Sequence, residues 1–212
     1  CRVESISKSV TAWGVMKLIQ DGAIEVDAPL QRYMPDWQPP ANGFDLRNVT
    51  IRRLLSNTGG MPLGTIGEEF EPGSSMPTVV DYMRKETRLV YPPGSQFLYS
   101  NVNFNTLELL IETVTGRRFA DYMREEILQP LGMTTADFSW RESYRAAMPT
   151  GYELDGDPVP AYVYPVHASG GLFATAADIA RFAQAEMTGS FAADSTILSQ
   201  ASIRAIQTPQ ID

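Results

Sequence analysis

The sequence predicts a mostly helical chain built on one hydrophobic core. Three observations predict it: two segments with helical apolar spacing, turn residues that punctuate them, and no succession of alternating segments that would make a multi-stranded sheet. Residues 11–21 carry Ala12, Val15, Met16 and Ile19 at the i, i+3, i+4, i+7 spacing of a buried helix face, and Gly22 follows as a stop. Residues 103–115 carry Leu107, Leu110, Ile111 and Val114 on one stripe, and Gly116 ends it.

The other elements follow in order. Asp27 and Pro29 open a short helical turn through Leu30 and Tyr33. Residues 34–48, with three prolines and a glycine, read as loop. Thr50 caps a short helix with Ile51, Leu54 and Leu55 on one face, and Thr78 begins another through Val79, Tyr82 and Met83. Tyr91-Pro92-Pro93-Gly94 is a turn, because proline fixes φ and glycine relieves it. A helix over 119–128 stops at Pro130. Residues 134–165 are rich in aromatics, proline and turn signals, and short strands are expected there. Thr175 and Asp178 form a capping box ahead of a helix to about residue 187, and Ser199 starts a last short helix. With no internal repeat, residues 1–212 read as one partial domain.

Composition narrows the function. The 43% hydrophobic content suffices for one sizeable core. A net charge of -8 and a pI near 4.7 leave no basic patch to neutralise phosphates, so nucleic acid is not expected as a partner. Cys1 is the only cysteine, which excludes an internal disulfide. One histidine and one cysteine also argue against a structural zinc site, and no cofactor or metal is expected. No apolar run approaches the roughly 18 residues of a membrane span.

Two short motifs can carry chemistry. Ser5 and Lys8 are three apart and share a face if the first helix extends back to them. A lysine whose pKa is lowered by burial can take the proton of a serine hydroxyl. Amide N–H groups at a first helical turn favour a developing oxyanion. With 15 serines and three lysines, a chance Ser-x-x-Lys is expected in roughly one such chain in five. Tyr99 and Asn101 are the second motif. A phenol relays protons, and an amide two residues on can hold a substrate amide or the lysine. The plain alternative makes Tyr99 a packed aromatic and Asn101 a helix cap. Ser169 and Gly170, in a Ser-Gly-Gly turn, let the chain approach something closely. His167 reads more readily as a satisfied turn histidine than as a pocket residue, and the 56–60 turn reads as architecture.

Taken together, six segments resemble the serine β-lactamase and D-alanyl-D-alanine carboxypeptidase superfamily, in its class C-like branch that also includes esterases. They are residues 5–11, 54–62, 91–94, 99–101, 130–133 and 169–178, in the family's order and approximate spacing. The resemblance implies a β-lactamase/transpeptidase-like α/β fold, of which this chain is mostly the helical part, with most of the antiparallel sheet missing. It implies Ser5 as acylated nucleophile, Lys8 as its base and Tyr99 as proton shuttle. Asn101, Ser169 and Gly170 are the candidate substrate-binding residues, Asn101 also supporting the lysine. The Ser5 amide would be half of the oxyanion hole.

The implied substrate is a small-molecule or peptide acyl donor: a β-lactam, a D-Ala-type peptide or a carboxylic ester. The family's third motif, Lys or His before a small residue and Gly, has no counterpart. None of Lys8, Lys17 and Lys85 begins such a triplet, and His167 is followed by Ala-Ser-Gly. The chain therefore reads as a fragment cut at both ends. It is expected to be weak or inactive alone unless a second chain supplies the missing sheet. The alternative is a non-catalytic scaffold or penicillin-recognising fragment. Location in the bacterial envelope or outside the cell is family analogy only.

Overall fold

The computed structural model describes residues 1–65, 68–188 and 197–210. The helices are α1 (Ile6–Gln20), α2 (Ile51–Leu55), α3 (Val79–Glu86), α4 (Asn101–Thr115), α5 (Phe119–Met123), α6 (Ser143–Ala147), α7 (Ala176–Thr188) and α8 (Gln200–Gln207). The sheet among the described residues is a two-stranded ladder, β1 (Gly151–Tyr152) against β2 (Pro158–Val159), with Gly151 opposite Val159. This is the helical part of an α/β fold with very little sheet.

Helix α4 is the centre. Every residue from 101 to 111 is buried, and the helix packs against α1, α2, α3 and α5. Leu107, Leu110 and Ile111 are fully buried, each stabilising the fold by roughly 1.5–3 kcal/mol. Ser100 caps its start by accepting from Asn103 N at 3.0 Å, so the cap is Ser100 and not Asn101. Gly116, with φ +65°, ends it in the left-handed conformation. Helix α1 begins six residues before Ala12, the first residue of its apolar stripe. The added turn places Ser5 at its N-cap position and makes Lys8 a buried helical residue.

Several local readings meet their physical reasons. Thr50, Thr78 and Ser199 each accept a backbone N–H at a helix start. Asp178 N donates to Thr175 Oγ1 at 3.2 Å and Thr175 N to Asp178 Oδ2 at 3.0 Å, a reciprocal capping box. The expected helix over 119–128 is instead α5 followed by a wider-wound segment, Arg124–Leu128. There Gln129 N bonds the Arg124 carbonyl at 2.9 Å, and Ile127 and Leu128 are both fully buried ahead of Pro130. The loop over 34–48 contains one 3₁₀ turn, Leu46–Asn48, started by the Asp45 carboxylate. Helix α6 escapes sequence reading because none of its residues is buried, so it has no apolar stripe.

The chain start is tied to two distant segments. Val3 N donates to Leu172 O and Ala174 N to Cys1 O, both at 2.9 Å, while Phe173 pairs with Asp137 on its other side. Arg2 supports this bridge from beneath: its guanidinium lies 3.6 Å from the centroid of the Tyr162 ring and 4.4 Å from that of Tyr164. This ladder brings residues 1–5 beside residues 169–174.

Candidate active site

Ser5 is presented by a bent backbone. Glu4 precedes it with φ +46°, a left-handed conformation costing roughly 1–3 kcal/mol outside glycine. The bend lets Val3 pair with Leu172 while Ser5 opens α1. Ser5 is exposed, and its N–H has no hydrogen-bond partner among the described residues. A free amide at a helix start is a ready donor to a developing oxyanion.

Two side chains reach the Ser5 hydroxyl. Lys8 Nζ lies 3.1 Å from Ser5 Oγ, one helical turn along α1. Tyr99 OH donates to the same oxygen at 2.8 Å from the loop ahead of α4. Lys8 is 6% exposed. Burial pulls its pKa below the usual lysine value, against the opposing influence of Tyr99 and Glu4. The Tyr99 phenol is pushed up by burial, but its hydrogen bonds to Lys8 and Ser5 and the lysine's charge outweigh this and leave it below the usual tyrosine value. Base and relay thus both lose their protons more readily than a free lysine and a free tyrosine.

The third contact of the lysine is backbone. Lys8 Nζ donates to the Ser169 carbonyl at 2.7 Å. Asn101 is buried beside Tyr99 and its backbone N–H donates to Leu63 O at 2.9 Å, yet its side-chain amide makes no hydrogen bond among the described residues, to Lys8 or to any other group. The lysine support expected from Asn101 comes here from Ser169. Gly170 follows, and a Cβ on Gly171 would lie 2.7 Å from the His167 Cα, so this turn closes only around a glycine. Ser5, Lys8, Tyr99 and Asn57 line one cleft of about 650 Å³, walled on its far side by Phe182, Glu186 and Ile206.

Residues missed by sequence reading hold these groups in place. Asn57 Oδ1 accepts Ser100 N at 3.1 Å and its carbonyl accepts Leu98 N at 2.9 Å, fixing the Tyr99 backbone. Ser100 Oγ donates to Pro62 O at 2.6 Å. The 56–60 turn is therefore part of the site's frame. Glu108, fully buried on α4, accepts His167 N at 2.7 Å and Ala168 N at 2.8 Å. Its other oxygen lies 2.7 Å from His167 Nδ1. His167 is thus a satisfied turn histidine. Its burial pulls the imidazole pKa down, but the Glu108 charge and hydrogen bond prevail and hold it above the usual value. An Asn-Thr-Gly-Gly turn and a glutamate inside an apolar helix pattern were the available signals.

Comparison with known proteins places the chain in a family. Residues 1–210 match the family model described as Beta-lactamase. The chain is 28% identical over 160 residues to the protein flp of Staphylococcus aureus, covering 73% of this chain and 31% of flp. It is 30% identical over 216 residues to penicillin-binding protein 4 of Amycolatopsis lactamdurans, covering 98% of this chain and 56% of that protein. The crystal structure of the D-alanine carboxypeptidase AmpC from Burkholderia cenocepacia superposes with a TM-score of 0.73 at 25% identity, covering 97% of this chain and 53% of that one. The chain spans about a third to just over half of the length of these relatives.

Proposed function

Since the chain belongs to the Beta-lactamase family, a family of hydrolases, we propose that it carries the nucleophilic machinery of a serine hydrolase working through a Ser5 acyl-enzyme. The observation that carries this is the convergence on Ser5 Oγ of a desolvated lysine at 3.1 Å and a tyrosine hydroxyl at 2.8 Å. Neutral Lys8 takes the hydroxyl proton as Ser5 Oγ bonds to the acyl carbon. The free Ser5 N–H meets the oxyanion. The bond to the leaving nitrogen or oxygen then breaks, and that atom receives a proton through Tyr99. Water attacks the ester, releases the carboxylate and restores the Ser5 hydroxyl. Asn101, Ser169 and Gly170, buried behind the cleft wall, are assigned to shaping the acyl-donor site. The substrate is a β-lactam, a D-Ala-type peptide or a carboxylic ester. Likeness to a penicillin-binding protein and to a D-alanine carboxypeptidase supports the first two.

Intact mass after incubation with a fluorescent penicillin or an activated ester tests this. The expected result is one adduct, on Ser5, that disappears in Ser5→Ala. No adduct on folded chain, or an adduct that persists in Ser5→Ala, rejects Ser5 as the nucleophile of this chain.

A further inference from the structure

We propose that Glu108 is the positioning residue of the lysine base: it holds the 167–169 turn so that the Ser169 carbonyl stays aimed at Lys8 Nζ. This rests on the reading of Lys8 as the base of Ser5.

The chain of contacts is continuous. Both N–H groups of His167 and Ala168 donate to Glu108 Oε2, at 2.7 and 2.8 Å. The next N–H, of Ser169, donates to Asn105 Oδ1 at 3.2 Å, one turn earlier on α4. On the other side α1 completes the clamp: Thr11 Oγ1 donates to the Ala168 carbonyl at 3.0 Å, and Leu172 N donates to Ser7 Oγ at 3.0 Å. The turn is left with the Ser169 carbonyl, which accepts Lys8 Nζ at 2.7 Å. Three consecutive amides are thus fixed by two side chains of one central helix, and the carbonyl they orient meets the base.

A carboxylate suits this task better than an amide. It accepts from two amides and an imidazole at once without presenting a donor of its own. A fully buried carboxylate is costly unless so satisfied, and the three contacts satisfy it. Glutamine at 108 keeps the shape but loses the charge, and one of its donors would face a donor. Apolar packing alone does not call for a carboxylate here.

The charged groups around both ends are few. Lys8 faces Tyr99 from the loop before α4 and Glu4 from the start of its own segment, with Glu186 of α7 lining the same cleft. Glu108 faces His167, with Glu112 and Arg118 beyond the imidazole. Loosening the turn removes a fixed acceptor from the ammonium form of Lys8 and so favours the neutral amine. The amine is then also less well aimed at Ser5 Oγ.

The test compares wild type with Glu108→Gln in two readouts. The first is the titration of Lys8 by NMR of ¹³C-labelled lysine. The chain has only three lysines, and Lys8→Gln assigns the signal. The expected result is a lower titration midpoint for Lys8, with Lys17 and Lys85 unmoved. The second is the pH profile of Ser5 adduct formation. Its acidic limb should move down with Lys8, while its plateau falls by about 10- to 100-fold, the scale of a small misplacement of a catalytic group. A folded Glu108→Gln with unchanged Lys8 midpoint and unchanged plateau overturns the proposal. If Glu108→Gln loses its native circular dichroism, Asn105→Ala, which removes one acceptor from the same turn, is read in the same way. The NMR titration needs no turnover, so failure of the hydrolase reading, seen as no Ser5 adduct in wild type, is distinguishable from failure of this one.

Discussion

Tyr99 and Lys8 hold one hydroxyl from two directions: the phenol reaches Ser5 Oγ at 2.8 Å, the amine at 3.1 Å, and the amine lies 4.8 Å from the centroid of the Tyr99 ring. Tyr99 raises the Lys8 pKa while Lys8 lowers that of Tyr99, so each group favours the charged form of the other. Tyr99→Phe keeps the ring and removes the relay. Adduct formation should slow by about 100-fold or more, the usual scale for one proton-transfer group. The Lys8 midpoint should fall as well, because Tyr99 favours its charged form. Timed intact-mass sampling gives the rate.

Acylation should rise with pH as Lys8 loses its proton, with a midpoint below the ordinary lysine value of 10.5. Stability follows the same sign. The unfolded chain binds a proton at Lys8 in the window between the lowered folded value and 10.5 where the folded chain does not, so stability increases with pH across that window. This contribution is complete above 10.5 and is lost as pH falls through the folded value. Urea midpoints at several pH values check it, and Lys8→Met should flatten the slope. An unchanged slope in Lys8→Met would place the effect elsewhere.

The capping box of α7 makes a separate acid-side prediction. Burial pushes the Asp178 carboxyl up, but the donors Thr135 and Thr175 outweigh it and hold it below its usual value of 3.8. Its contribution to stability is therefore present above 3.8 and is lost as pH falls through the lower folded value. Thr175→Ala should cost about 1 kcal/mol at neutral pH, measured by urea unfolding. Asp178→Asn should weaken the dependence of the unfolding midpoint on acid.

Gly171→Ala tests the turn from the opposite side to Glu108. Its new Cβ would lie 2.7 Å from the His167 Cα and 3.0 Å from the His167 carbonyl oxygen, so backbone must shift. A loss of roughly 1–3 kcal/mol is expected, the range for overpacking. Ser5 labelling should slow by about 10-fold or more even below the unfolding transition. Wild-type labelling in this variant would mean that the Ser169 carbonyl tolerates the shift.

At the wall of the cleft, the buried indole of Trp13 donates to the Glu186 carboxylate. Glu186→Leu leaves that N–H without its acceptor and should cost about 1–3 kcal/mol. Glu186→Gln, which keeps an acceptor oxygen, should cost less. Thermal midpoints of the two variants separate the hydrogen bond from the packing of Trp13 against Phe182, whose ring centroids lie 5.5 Å apart.

Much of this was legible in the residues. The stripe of Leu107, Leu110, Ile111 and Val114 marked α4, and Thr50, Thr78 and Ser199 marked helix starts, because apolar spacing and caps are local physics. The order of the short motifs marked the family. What was hidden lay on the other faces of α4. A polar residue in a helical pattern is read as solvated by default, yet Asn105 and Glu108 are buried and serve a turn some 60 residues away. Asn57 was hidden likewise, since a Gly-rich turn is read for its backbone and not for the loop it braces. The register of Lys8 on the Ser169 carbonyl, rather than on Asn101, depends on a backbone atom, and no residue type reports that in advance.

The reacting hydroxyl draws on partners far apart in the chain. Tyr99 stands 94 residues from Ser5, and the Ser169 carbonyl 161 residues from Lys8. Helices α1 and α4 can wind early from local contacts, but both of these encounters require closure of long loops. During refolding from denaturant, competence to be acylated should therefore lag behind recovery of helical ellipticity. The acyl probe becomes a clock for the last tertiary steps, blind to the helix formation that precedes them.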